Sequence, residues 1–172
     1  MNTKENILIL AKNTILSESE SIAKLIDFID FNFAEATQTL FNSKGRLIVT
    51  GIGKSAIIAQ KMVATFNSTG TPALFLHAAE AIHGDLGMVQ PDDIVLCISK
   101  SGNSPEIKIL VPLVKRFGNI LIAMTGNTTS FLAKESNYIL NTTVDAESCP
   151  HNLAPTNSTT AQLVMGDALA MC

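Results

Sequence analysis

The chain has 172 residues, of which 47% are hydrophobic and 16% are charged, and its formal net charge is −3. This length predicts one domain spanning residues 1–172, and the acidic balance argues against a nucleic-acid partner. No apolar run approaches the ~20 residues of a membrane span, and the N-terminus lacks a signal-peptide layout. The three cysteines are too few and too scattered for a disulfide or zinc framework, so we expect a cytoplasmic location.

Helical periodicity dominates the first 43 residues. It predicts a helix over residues 2–33 and a second, short helix over 34–43. The apolar positions that carry the first pattern are Ile22, Leu25, Ile26, Ile29 and Phe33. We interpret residues 1–43 as a helical arm, either packing between subunits or lying over the core.

From residue 44 onward, short apolar runs alternate with helical patterns. The predicted strands are 47–50, 73–76, 94–98, 120–124 and 138–141, and the predicted helices lie near 54–67, 79–86, 104–117, 128–135 and 156–172. The alternation predicts an α/β fold in which residues 44–172 form a three-layer α/β/α sandwich around a five-stranded parallel sheet. Ligands bind beyond the carboxyl ends of such strands.

A serine-rich turn at 99–106, Ser-Lys-Ser-Gly-Asn-Ser-Pro-Glu, joins a buried strand to a helix. Ser104 suits the N-cap and Pro105 the first helical position, and the unpaired N–H groups there favour an anion. We predict that Ser99, Ser101 and Ser104 bind a phosphate, joined by Ser55 from the first crossover turn. The alternative is an ordinary capped connection.

Three charged residues are candidates for chemistry near this phosphate. Lys54 follows the first strand, where a cation would meet the ligand, although it could also be a solvated lysine. Glu106 lies in a first helical turn, where the helix dipole alone favours a carboxylate. Glu147 lies in a loop with no helix to serve, so it is the better candidate for a general base.

Five sequence segments follow one another in order along the chain. They are Gly-Ile-Gly-Lys-Ser-Ala at 51–56, Ser-Thr-Gly-Thr-Pro at 68–72, His-Gly-Asp-Leu-Gly-Met at 83–88, the serine-rich turn, and Leu-Ala-Pro-Thr-Asn-Ser-Thr-Thr at 153–160 with Met-Gly-Asp-Ala-Leu at 165–169. Together they resemble the sugar isomerase (SIS) domain of the D-arabinose 5-phosphate isomerases. The resemblance implies a flavodoxin-like homotetramer that interconverts D-ribulose 5-phosphate and D-arabinose 5-phosphate, toward 3-deoxy-D-manno-octulosonate for lipopolysaccharide or capsule.

The resemblance also implies roles for individual residues. Lys54, Glu106 and Glu147 match positions treated as catalytically relevant, and His83 matches a substrate contact. Gly70 and Thr71 match a Gly-Thr pair expected to give backbone contacts to the substrate. His77 matches a histidine implicated in zinc binding, so zinc is a possible regulatory or inhibitory ion, while no cofactor is required.

The family pattern includes segments that would lie beyond this chain. This sequence also departs from that pattern at two positions. A catalytic histidine of a His-Pro-Gly-Gly segment would lie past Cys172, and a pair of CBS domains usually follows. Residues 160–172 are helical in pattern to the last position, so we expect a longer protein. Lys100 and Asn103 replace the usual residues of the serine-rich turn, and Lys100 could either strengthen phosphate affinity or point to solvent.

Two other functions stay open at this point. One is a different phosphosugar isomerase on the same scaffold, such as a phosphoheptose or hexulose-phosphate isomerase. The other is a non-catalytic phosphosugar-binding regulatory domain, which the absence of a helix-turn-helix or basic segment before the domain disfavours.

Overall fold

The computed structural model describes residues 3–172 and contains one parallel sheet of five strands in the order β2-β1-β3-β4-β5. The strands are β1 (Leu47–Gly51), β2 (Ala73–His77), β3 (Ile94–Ile98), β4 (Ile120–Thr125) and β5 (Tyr138–Asn141). Every residue of β1 and β3 is buried, as continuous apolar runs in a sheet covered on both faces require. The predicted α/β architecture is therefore confirmed.

In the described part of the chain, seven α-helices accompany the sheet. They are α1 (Lys4–Ala23), α2 (Phe31–Asn42), α3 (Lys54–Thr69), α4 (Ala78–Ala81), α5 (Pro105–Phe117), α6 (Phe131–Glu135) and α7 (Asn157–Met171), and 3-10 turns occupy Lys24–Phe28 and Asp85–Met88. Within residues 3–172, no helix combines the length and the apolar character needed to cross a bilayer.

The helices divide between the two faces of the sheet. On one face, α2, α3 and α7 pack on a core that includes Val49, Met62 and Met165. On the other face, α4, α5 and α6 pack on a second core that includes Ile48 and Leu110. The helices that follow β1 and β3 thus lie on opposite faces, although these two strands are neighbours.

The helical arm differs from its prediction at one point. The chain breaks at 29–30 rather than at 33–34, because the Asp30 carboxylate accepts a hydrogen bond from the Phe33 amide at 3.2 Å and caps α2. Of the apolar residues that carried the helical pattern, Leu25 and Phe33 are buried, whereas Ile26 is 75% exposed and Ile29 is also exposed.

A buried ion pair ties together the edge of the sheet where the strands begin. The Asp93 carboxylate, just before β3, accepts hydrogen bonds from the Arg46 backbone N–H at 2.8 Å and from its guanidinium at 2.6 and 3.1 Å. Asn119, just before β4, donates to the carbonyls of Gln90 and Asp93, both at 2.8 Å. The starts of three adjacent strands are thereby joined.

Candidate functional site

β1 and β3 end side by side, and the space between the turns that follow them is called the crevice below. The chain leaves β1 toward α3 on one face and leaves β3 toward α5 on the other, which is the switch point at which such sheets bind ligands. A Cβ added to Gly51 would lie 3.2 Å from the Ile98 carbonyl oxygen and 3.1 Å from the Ser55 carbonyl carbon. The ends of β1 and β3 therefore lie close together, and the turns that follow them leave from the same edge of the sheet.

The serine loop, residues 99–104, is shaped by its own hydroxyl groups. The Ser99 Oγ accepts a hydrogen bond from the Gly102 amide at 3.1 Å, and the Ser101 Oγ accepts one from the Asn103 amide at 3.3 Å. Each bond uses a lone pair and leaves the hydroxyl proton available as a donor. Gly102 has φ 62°, and a Cβ there would lie 2.1 Å from the Ser130 Oγ, so the tight turn requires glycine.

Ser104 occupies the predicted N-cap position of α5, but it does not cap the helix with its side chain. Its hydroxyl is buried and has no hydrogen-bond partner within residues 3–172. The expected capping bond is therefore absent. A buried hydroxyl without a partner is costly, and an anion at the N-terminus of α5 would supply the missing partner.

The first crossover turn carries Lys54 and Ser55 at the start of α3, which packs on the face of the sheet opposite to α5. Lys54 begins α3, is exposed, and forms no ion pair within the part of the chain that the structure describes. The Ser55 hydroxyl donates to the Gln162 Oε1 of α7 at 3.2 Å, so it is engaged with α7 rather than with the serine loop. A role for Ser55 in phosphate binding stays a prediction.

Glu147 does serve a helix, which corrects the sequence analysis. Its Oε2 accepts hydrogen bonds from the Thr156 amide at 2.8 Å and the Ser158 amide at 3.1 Å, so the carboxylate caps α7. Its Oε1 accepts from the Ser158 hydroxyl and from the Lys100 ammonium at 2.6 Å. No surface of this side chain is exposed.

These contacts hold Glu147 ionised. Burial raises its pKa, but the Lys100 ammonium, the Ser158 hydroxyl and the two amides outweigh burial and lower the pKa to about 2. A general base that works near neutral pH needs a pKa much closer to that pH. The geometry therefore suits a fixed negative charge at this position better than a proton carrier.

Lys100 is engaged within the chain at both its side chain and its backbone. Its ammonium contacts Glu147, while its backbone carbonyl accepts hydrogen bonds from the Gly126 amide at 3.1 Å and the Thr125 hydroxyl at 3.3 Å. The other departure, Asn103, accepts a hydrogen bond from the Phe131 amide at 3.0 Å. Lys100 and Asn103 thus both connect the serine loop to neighbouring elements by hydrogen bonds.

Glu106 differs from Glu147 in its surroundings. It lies in the first turn of α5 and is half-buried, and it has no side-chain hydrogen bond or ion pair within residues 3–172. Its catalytic role stays a prediction.

The two histidines lie at the carboxyl end of β2. His77 ends that strand beside Gly51, its ring meets Phe75 edge-on at 6.2 Å, and its Nδ1 is buried without a partner in the described residues. His83 is exposed in the turn after α4, the helix that packs on α5. No group of three potential metal ligands occurs within residues 3–172, so zinc binding at His77 stays a prediction.

Gly70 and Thr71 do not lie in this crevice, contrary to the expectation from the resemblance. Gly70 ends α3 with φ 96°, and the Thr71 amide donates to the Phe66 carbonyl at 2.9 Å. A helix that starts at the carboxyl edge of a parallel sheet must finish at its amino edge. These two residues therefore lie where β2 begins, a full strand length from the serine loop.

Three residues of the site carried no role in the sequence analysis: Thr156, Ser158 and Gln162. They lie at the start of α7 and contact Glu147 or Ser55. The run Leu-Ala-Pro-Thr-Asn-Ser-Thr-Thr marked this segment, but only the return of α7 to the crevice shows which side chains face the site.

Comparison with known proteins agrees with this geometry. A model of the SIS domain family matches residues 39–172. The probable arabinose 5-phosphate isomerase of Haemophilus influenzae is 46% identical over 99% of this chain and 51% of its own length. The arabinose 5-phosphate isomerase KdsD of Pseudomonas aeruginosa is 48% identical over 99% of this chain and 53% of its own length.

A solved structure shows the same relationship over nearly a whole chain. The Escherichia coli CFT073 protein c3406, in complex with arabinose 5-phosphate, superposes with a TM-score of 0.94 at 41% identity, covering 99% of this chain and 90% of that one. The chain spans about half the length of the curated relatives it matches. The family model, which matches residues 39–172, and the similarity of the whole fold show that this chain belongs to the SIS domain family.

Proposed function

We propose that this chain is the isomerase domain of an arabinose 5-phosphate isomerase, which interconverts D-ribulose 5-phosphate and D-arabinose 5-phosphate. The observation that carries the proposal is the buried Ser104 hydroxyl at the N-terminus of α5, which has no partner in the described residues. The names of the curated relatives and the arabinose 5-phosphate bound to the c3406 protein support this choice of substrate.

In this proposal, the phosphate lies against the serine loop. The hydroxyls of Ser99, Ser101 and Ser104 donate to its oxygens, and the first turn of α5 adds backbone N–H groups and a favourable dipole. Ser55 would join them only after leaving Gln162. Such neutral donors leave the cationic Lys54 available for the sugar.

The reaction requires a base, a stabilised oxyanion and a return of the proton. A base takes the proton from C2 of the aldose, and the electron pair forms an enediolate. Lys54 stabilises the charge on oxygen, and Glu106, whose carboxylate has no competing contact within residues 3–172, carries the proton. Return of the proton to C1, with the hydroxyl proton moving from O2 to O1, gives the ketose.

Assembly, location and pathway are also part of the proposal. Exposed apolar side chains on α1, among them Ile7, Leu8 and Ile15, support a homotetramer in which α1 packs between subunits. We place the protein in the cytoplasm, in 3-deoxy-D-manno-octulosonate synthesis. No cofactor is required, and the Nδ1 of His77, unpartnered within residues 3–172, supports a regulatory zinc ion there.

The test follows aldose–ketose conversion by the full-length protein with a panel of sugar phosphates. Arabinose 5-phosphate should be converted fastest, and Lys54→Ala should lower kcat/KM by about 100-fold or more. Lys134→Ala, an exposed lysine of α6, is the control and should leave the rate unchanged. Faster conversion of a heptose or hexulose phosphate, or binding without turnover, would contradict the proposal.

A further inference from the structure

Lys100 connects two parts of the crevice that come from opposite faces of the sheet. We propose that it is a positioning residue, which joins the serine loop to the first turn of α7 through the Glu147 carboxylate and so fixes the phosphate donors. This proposal rests on the proposed function, because the serine loop is the proposed phosphate site.

The backbone of Lys100 is fixed to the end of β4. Its carbonyl oxygen accepts hydrogen bonds from the Gly126 amide at 3.1 Å and from the Thr125 hydroxyl at 3.3 Å. A Cβ at Gly126 would lie 3.7 Å from the Lys100 Cγ, so the side chain leaves the loop along Gly126. The backbone contacts of Lys100 thus orient its side chain independently of the ammonium charge.

The other end of the connection is a carboxylate that cannot move independently. Glu147 accepts two backbone N–H bonds from the start of α7 and a hydroxyl bond from Ser158. Its own amide donates to the Asn152 Oδ1 at 2.8 Å. Among the partners within residues 3–172, Lys100 alone brings a full positive charge to this buried anion.

The pair holds the serine loop relative to α7. The loop leads into α5 on one face of the sheet, whereas α7 packs on α3 on the other face. Ser99 and Ser101 flank Lys100 directly, so the contact between Lys100 and Glu147 restrains the segment that carries both hydroxyls. Because 46% of the Lys100 side chain is exposed, Lys100 can be substituted without leaving a cavity in the core.

The experiment compares three variants of the full-length protein. Lys100→Met removes the charge and keeps the length, and Lys100→Arg restores a charge. Lys115→Met is the matched control, since Lys115 contacts Glu135 at 2.5 Å and is 47% exposed, away from the crevice. The measurements are the affinity for inorganic phosphate by calorimetry, and KM and kcat with D-arabinose 5-phosphate.

We expect Lys100→Met to weaken phosphate binding and raise KM by about tenfold, with kcat changed less than about threefold, because the anchor rather than the reacting carbon is displaced. Lys100→Arg should recover most of the affinity, and Lys115→Met should match the parent. A phosphate affinity in Lys100→Met equal to that of the parent, or no recovery with arginine, would overturn the proposal.

A neutral double variant guards against a simple folding defect. Lys100→Met leaves the Glu147 carboxylate buried without its cation, whereas Lys100→Met with Glu147→Gln leaves no buried charge. The double variant should fold with the parent's circular dichroism and still bind phosphate weakly. If the parent binds phosphate and these effects hold but no pentose phosphate is isomerised, the proposed function fails while the positioning role stands.

Discussion

Arg46 and Asp93 form a bidentate ion pair at the edge of the sheet opposite the crevice, with the closest atoms, Nη2 and Oδ2, 2.6 Å apart. The Asp93 side chain is almost completely buried and also accepts the Gln90 amide at 2.8 Å. This carboxylate therefore holds the turn before β3 against the residue that precedes β1. The contribution of this ion pair to the free energy of unfolding can be measured separately from function.

Asp93→Asn should lower the free energy of unfolding by about 2 to 4 kcal/mol, because it leaves the Arg46 guanidinium without its counter-charge in a buried network. Urea unfolding followed by circular dichroism measures the loss. Glu135→Gln breaks the Lys115 pair, which is exposed on both sides, and should cost less than about 1 kcal/mol. Equal losses in the two variants would mean that burial does not govern the value of the Arg46 pair.

The ionised Glu147 makes stability depend on acid. Its pKa falls from 4.5 to about 2 on folding, so its contribution is complete above pH 4.5 and is lost as the pH falls toward 2. A shift of this size corresponds to about 3 kcal/mol. Glu147→Gln should therefore be less stable than the parent at pH 7, and the difference should close between pH 4.5 and pH 2.

The measurement for Glu147 is urea unfolding of both proteins across that pH range. Asp93, whose pKa is also lowered by Arg46 despite burial, gives a similar acid dependence, but it is common to both proteins and cancels in the difference. A difference in stability that stays constant from pH 7 to about pH 2 would show that Glu147 is not held ionised in the folded chain.

The sheet could be predicted from sequence because its signals are local. The apolar runs that form β1 and β3 and the glycines that end α3 and α5 lie within a few residues of the elements they define. The error at Gly70 and Thr71 was one of topology, since a residue that ends α3 cannot lie at the edge where α3 begins. The resemblance identified the Gly-Thr motif in the sequence but did not indicate at which edge of the sheet it lies.

The electrostatics of the site could not be predicted in the same way. Lys100 and Glu147 are 47 residues apart, and Glu147 caps a helix whose first residue comes 10 positions later. Neither contact leaves a periodic pattern in the sequence. The hydrogen bonds to Glu147 form only because α7 returns to the crevice. They hold this loop glutamate ionised, which changes its expected chemistry.

Ser104→Ala should have opposite effects on stability and on binding. Removing a buried hydroxyl that has no partner within residues 3–172 should leave the free energy of unfolding unchanged or raise it by up to about 1 kcal/mol. The same change removes a phosphate donor and should weaken inorganic phosphate binding by about fivefold or more. Unfolding by urea and calorimetric titration measure the two effects.

The comparison for Ser104 is Ser130→Ala. Ser130 does cap its helix, since its hydroxyl accepts the Ala133 amide at 3.2 Å, so this variant should lose about 1 kcal/mol of stability. If Ser104→Ala were destabilised as much as Ser130→Ala, the Ser104 hydroxyl would have a partner in the folded chain. The case for an anion at the start of α5 would then lose its main support.

Gly102→Ala tests whether the serine loop depends on its tight turn. Gly102 has φ 62°, and an added Cβ would lie 2.1 Å from the Ser130 Oγ and 2.6 Å from the Ser130 Cβ. Gly118 also has a positive φ, 83°, but a Cβ there meets nothing within 4 Å. Gly118→Ala should therefore cost only the backbone strain, about 1 kcal/mol.

Gly102→Ala adds a steric clash to the same strain, so it should cost about 2 kcal/mol more than Gly118→Ala. Because the clash pushes the loop away from Ser130, phosphate affinity should fall in Gly102→Ala and stay at the parental value in Gly118→Ala. Urea unfolding and phosphate titration of both variants provide the check. Equal stability of the two variants would mean that the loop relaxes freely, and a preformed phosphate site would then be wrong.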